Sequence, residues 1–107
     1  MHSGTTQTLF IIRHNTTLEF SCPSGVKFAS IDNVPGWMST SLLKQNAGFK
    51  LGFWCIEELD GQHVFSIMHN AEMNLIDIDY FARVVMRLVN ECDNFEGSVS
   101  RALAQLH

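Results

Sequence analysis

The sequence predicts an α+β domain: an antiparallel, five-stranded twisted sheet, built from a meander and a hairpin, with a short middle helix and a long C-terminal helix packed on it. Three observations carry this. An Asp60-Gly61 step joins two long apolar runs, which is a strong short-range hairpin signal. Leu18, Phe20 and Cys22 alternate with Thr17, Glu19 and Ser21, the pattern of a half-buried strand. From Ile78 to Cys92, apolar residues recur at the i, i+3, i+4 and i+7 spacing of an amphipathic helix.

Each element follows from local chemistry. Residues 8–13, TLFIIR, are β-branched and aromatic and read as a first strand, with His14-Asn15-Thr16 as its turn. Pro23-Ser24-Gly25 is expected to end the second strand, and Val26, Phe28 and Ser30 to form a short third one. Asp32-Asn33-Val34-Pro35 offers capping groups to a helix whose Met38, Leu42 and Leu43 recur until Asn46-Ala47-Gly48 stops it. Trp37 falls in its first turn and is expected to pack against the sheet. In the 59–62 hairpin both strand faces are apolar, so something must cover the second face, either a helix of this chain or another subunit. Asp77 is the expected N-cap of the last helix, whose polar face carries Asp79, Arg83, Arg87 and Glu91. The tail from Asn94 to His107 contains Gly97 and several poor helix formers, so it is expected to fray or dock late.

Residues 1–107 have room for a single domain and one core, and 46% hydrophobic residues with eight Phe and two Trp supply it. The net charge of −4 and the scattered seven Lys and Arg leave no basic stripe, which argues against a nucleic-acid partner. No run is long and apolar enough to span a bilayer and the start resembles no signal peptide, so a cytoplasmic location without membrane contact is expected. Three dispersed cysteines, an odd number, fit reduced thiols there.

The chemistry-bearing residues gather poorly. His63 and His69 lie six residues apart on one strand, roughly 20 Å, too far to share an ion. Cys22, Cys55 and Cys92 fall on apolar faces in separate elements. No nucleophile elbow, phosphate loop or dinucleotide fingerprint is present, so no catalytic, metal or cofactor residue is assigned and no enzymatic activity is expected. Glu57, Glu58 and Asp60 read as solvated charge at a hairpin end. The 69–74 segment, His69-Asn70-Ala71-Glu72-Met73-Asn74, is read as polar groups satisfying a strand end and a turn, or as a binding loop.

The stretch VPGWMSTSLLKQNAGFKLGFWCIEELDGQHVFSIMHNAEMNLIDIDYFARVVMRLVNECDNFE resembles the YbjN-like family, particularly its cyanobacterial members, which share the type III secretion chaperone-like fold. The likeness rests on the helix ending Leu42-Leu43-Lys44-Gln45-Asn46-Ala47, a Gly-containing apolar strand, the Asp-Gly hairpin and the helix from Asp77 to near Cys92-Asp93. It implies a twisted sheet covered by helices, of which the family's first helix has no room here, leaving a groove for a partner or a second copy. It also implies a homodimer that binds extended polypeptide clients. The expected function is therefore polypeptide binding, with the dimer contact in the 77–92 helix or the central hairpin. Candidate contact residues are Trp37, Phe53, Trp54, Phe65, Met68 and Met73. The alternative is a small-molecule or metal-responsive domain using His63, His69 and the 69–74 loop.

Overall fold

The computed structural model describes residues 6–105. It is an α+β fold of four strands, β1 (Phe10–His14), β2 (Thr17–Phe28), β3 (Phe53–Leu59) and β4 (Gln62–Glu72), with two helices, α1 (Gly36–Asn46) and α2 (Ile78–Ala104). Single-turn 3-10 helices occupy Ile31–Asn33 and Met73–Leu75. The strands are antiparallel in the order β1-β2-β4-β3. Both hairpin loops hold two residues: Asn15 takes a φ of 57° in the first, and Asp60 and Gly61 take 51° and 76° in the second. Positive φ at both central residues is what a type I′ turn requires.

The sheet has four strands rather than five. Pro23-Ser24-Gly25 does not end β2. The pairing passes from Pro23 opposite Ser66 to Lys27 opposite Val64, so β2 spends four residues where β4 spends two. β1 reaches only Ser21, so Pro23 has no neighbour on that side to miss its N–H. The extra residues are held by side chains: Val26 N–H donates to Ser24 Oγ at 3.1 Å, and Gly25 N–H donates to the Glu96 carboxylate of α2. Turn-forming residues here build a bulge.

α1 begins at Pro35 with no side-chain cap, because Asp32 and Asn33 are taken by the 3-10 turn that Ser30 Oγ caps. α2 is capped by Asp77, whose carboxylate accepts from Tyr80 N at 2.8 Å. It does not stop near Cys92 but runs through Gly97 to Ala104, past the expected fraying point; Leu106 and His107 lie outside the described residues. Packing overrides the weak propensity there: Phe95 stacks on Trp54 at 4.9 Å and on Phe65 at 5.7 Å, and Val99 joins the same cluster.

The core lies on one face of the sheet, where Val84, Leu88 and Cys92 of α2 and Met38 and Leu42 of α1 meet Phe20, Cys22, Trp54, Phe65 and Ile67. Val64 and Met68 are also buried but stand outside this cluster, on the opposite face. There the sheet shields itself. Ser21 Oγ donates to Glu57 Oε1 at 2.9 Å, although their partners on β4 are Met68 and Val64. The Glu57 side chain therefore crosses above Ser66, midway between them, which only a strongly twisted sheet allows. Ser66 is fully buried and its Oγ has no partner.

Gly52 positions the sheet against α2. Its φ is 84°, and a Cβ there would stand 2.8 Å from Leu88 Cδ2 and 3.4 Å from Met68 O. Gly52→Ala is expected to cost about 1–3 kcal/mol through backbone strain and displacement of Leu88, measurable by urea denaturation. Gly61→Ala, which meets no neighbour, would cost only its turn strain and serves as the comparison.

Candidate partner-binding surface

The six sequence-derived contact residues do not form one surface. Trp54 and Phe65 are 3% exposed and belong to the core, and Met68 is buried on the far face. They are corrected from contact residues to packing residues. β4 is central, with β2 on one side and β3 on the other, so its side chains are enclosed from both flanks. Phe53 is part-exposed on the far face of β3, and Met73 stands beyond β4 near Arg13 and Thr16.

Trp37 differs from all of them: it is 65% exposed on the first turn of α1 and does not pack into the core as expected. It stands between two clefts. The larger, of about 750 Å³, is walled by Val26 and Phe28 of β2, Pro35 and Met38, and Val99 and Leu103 of α2, with Lys27 at its edge. The smaller, of about 250 Å³, lies between α1 and α2 and adds Ser41, Gln45, Glu91 and Asn94. Trp37, Met38 and Val99 line both, so the two clefts adjoin at Trp37, the larger mainly apolar and the smaller with a polar end. Trp54 also lines the smaller cleft, and its buried indole N–H lacks an acceptor. Glu96 also lines the larger cleft, its carboxylate held in place by Gln7 Nε2 at 2.8 Å and by Gly25 N–H.

Sequence reasoning missed the β2 and α2 walls of this groove. Val26 and Phe28 were assigned to a separate strand, and Val99 and Leu103 to a fraying tail. Their apolar character at helical spacing from Phe95 was the signal available.

His69 and part of the 69–74 segment, both central to the alternative reading, are engaged in holding the fold. The 69–72 stretch is strand rather than loop. Glu72 accepts from the hydroxyls of Thr16 and Thr17, and Met73 N donates to Thr16 O at 2.8 Å, which ties this end to the first hairpin. His69 uses both ring nitrogens: Nδ1 accepts from Gly52 N at 3.0 Å, and Nε2 lies 2.6 Å from Tyr80 Oη. With Nδ1 accepting, the neutral ring carries its proton on Nε2 and donates to Tyr80. No lone pair is left for a metal. Among the described residues no group of His, Cys, Asp and Glu is arranged to hold an ion. Cys22 and Cys92 are buried in the core, and a hydrogen bond to Cys22 together with burial holds the Cys92 thiol protonated. Cys55 on the far face is pushed up to about 11 by burial and then by Glu57 and Glu19. Raised in this way, Cys92 and Cys55 are poor nucleophiles; the Cys22 thiol pKa is lowered by its hydrogen bond with Cys92, but the residue is fully buried.

Among the described residues no helix is long and apolar enough to cross a membrane. No protein-family model matches the chain, and no curated protein or solved structure matches it either.

Burial lowers the His69 pKa below its ordinary value of 6.5. Protonating Nδ1 would also set an N–H against that of Gly52. Below pH 6.5 the unfolded chain therefore binds the proton more readily than the folded one. The stabilising contribution is complete above pH 6.5 and declines as pH falls from 6.5 towards the folded value. Thermal melts between pH 7.5 and 5 should show this loss, and His69→Gln should flatten it.

Proposed function

We propose that this chain is a protein-binding module that acts as a homodimer and takes an apolar segment of a partner polypeptide in the groove around Trp37. The observation that carries this reading is Trp37 itself, a tryptophan 65% exposed between two adjoining clefts. Exposed aromatic anchors beside apolar walls are the usual centres of binding energy in protein contacts. The groove is lined mainly by carbon, with Lys27, Gln45 and Asn94 placed to meet backbone groups at its ends. The resemblance to the YbjN-like family points in the same direction. Binding rather than catalysis also agrees with buried thiols and with histidine nitrogens already used by the fold.

The two tryptophans report binding separately, since Trp54 is buried and Trp37 is not. Titration with synthetic extended apolar peptides should blue-shift and protect the emission from acrylamide. Trp37→Ala should abolish that change, weaken binding about 10-fold or more and leave the melting temperature within a few degrees. If no peptide alters the emission, and none binds the wild type more tightly than Trp37→Ala, the groove is not the site.

A further inference from the structure

The two edges of the sheet are protected unequally. At the β3 edge, Asn46 of α1 turns its amide onto the strand: Nδ2 donates to Trp54 O at 3.0 Å, and Oδ1 accepts from Trp54 N at 2.7 Å. Further along, Glu58 and Asp60 place negative charge beside the same edge. Side chains and charges of this kind block the addition of another strand. β1 has neither. All five of its residues are exposed, three of them are Phe10, Ile11 and Ile12, and its charges, Arg13 and His14, sit at the turn. Arg13 Nε is itself committed to Asn15 O at 2.9 Å, and His14 faces Glu19 at 3.4 Å.

The register fixes which backbone groups of β1 are unpaired. His14 and Thr17 close a two-residue loop and form a hydrogen-bonded pair, so by alternation Ile12 and Phe10 also turn their N–H and C=O towards β2. The groups of Ile11 and Arg13 point to the free edge. Two such strands brought together antiparallel about Ile12 set Ile11 of each opposite Arg13 of the other. Each pair then exchanges both backbone bonds, and Ile12 meets Ile12 on the axis. No like charges face one another.

α2 borders the side of this edge on which Ile11 stands, opposite the core residue Phe20, while Phe10 and Ile12 stand on the other side. Gln7, which leads into β1, bonds to Asp93 and Glu96, and this identifies the flank of α2 nearest β1. At about 100° per residue, Ile78, Ala82 and Met86 fall on that flank. They lie level with β1, since Phe81 meets Phe20 edge-on at 5.5 Å and Phe20 pairs with Ile11. Ile78 is 83% and Met86 63% exposed, unusual for large apolar residues in mid-surface. With Phe10, Ile11 and Ile12 they present on the order of 500 Å² of apolar side chain, more than half of the roughly 800 Å² that each partner buries in a standard interface.

We propose that two copies of this chain pair through β1, antiparallel about Ile12, into one eight-stranded sheet with the Ile78, Ala82 and Met86 flanks of α2 facing one another across the two-fold axis. This deepens, and rests on, the homodimer part of the reading above, and it leaves the Trp37 groove open.

Light scattering after size-exclusion chromatography tests it. The wild type should have twice the 12.1 kDa chain mass. Ile12→Lys and Ile12→Glu should each halve that mass while retaining the wild-type circular dichroism, because like charges then meet at the axis. Mixing the two should restore the dimer as a heterodimer. Leu59→Lys, at the guarded edge, should change nothing. A wild type that is monomeric at every concentration, a dimer that survives Ile12→Lys, or charge variants that do not recombine would each overturn the proposal. Peptide titration of the Ile12→Lys monomer separates the two ideas: binding retained there leaves the groove standing whatever the fate of the dimer, and a wild-type dimer that survives Ile12→Lys leaves homodimerisation standing without this interface.

Discussion

One long helix has to cover a sheet wider than itself. An α-helix with side chains is about 10 Å across, whereas four strands spaced about 4.8 Å apart present a wider face. α2 lies over the central strands, and its buried stripe, Val84, Leu88 and Cys92, meets Phe20, Cys22 and Ile67 there. The outer strands must be finished in some other way. β3 is finished within the chain, by α1 and the Asn46 amide; among the described residues β1 receives only the Gln7 segment, at the end away from its turn. The distribution of exposed apolar side chains follows from this shortage of cover.

The same constraint explains what was legible in the sequence. The Asp60-Gly61 turn and the Asp77 cap depend on neighbours in the chain, so the residues alone are enough to place them. Pro23-Ser24-Gly25 is ambiguous at that range. Whether such residues turn a chain or bulge a strand depends on what accepts their freed N–H groups, and here Glu96, 71 positions away, accepts one of them. The C-terminal half of α2 was similarly hidden, since its stability comes from Phe95 between Trp54 and Phe65 and not from propensity. Residue type could not separate Trp37 from Trp54 either. Both are tryptophans in apolar surroundings, and only the position of β3 beneath α1 and α2 buries the second.

The far face of the sheet shows how a chain with few helices limits exposure. Apolar residues at Phe53, Cys55, Val64 and Met68 gave the sequence its two-sided look. A covering helix or subunit was the expected remedy, yet both helices deliver their buried side chains to the other face. Twist and a long acidic side chain do part of that work instead. Glu57 spans β4 to reach Ser21, shields Ser66 and contributes to the raised Cys55 pKa. The carboxylate that looked like solvated hairpin charge is a structural strap, at the expense of an unpartnered Ser66 hydroxyl beneath it.

α2 then carries two surfaces at opposite ends of a single rigid element. Its first half holds the Ile78, Ala82 and Met86 flank, and its second half the Val99 and Leu103 wall of the Trp37 groove. A two-fold axis through Ile12, normal to the sheet, places both helices on the same side with their C-terminal ends pointing apart. The groove lies some 17 residues along α2 from Ala82, about 25 Å at 1.5 Å per residue, so the two grooves of a pair stand roughly 50 Å apart. An extended segment bridging them needs at least about 15 residues at 3.3 Å each. In the proposed pair a shorter peptide would fill one groove at a time, and a longer client would gain effective concentration from the second. Dimerisation through β1 would therefore add little to the affinity of a short peptide and much to that of a long one, a length dependence that a monomeric groove cannot produce.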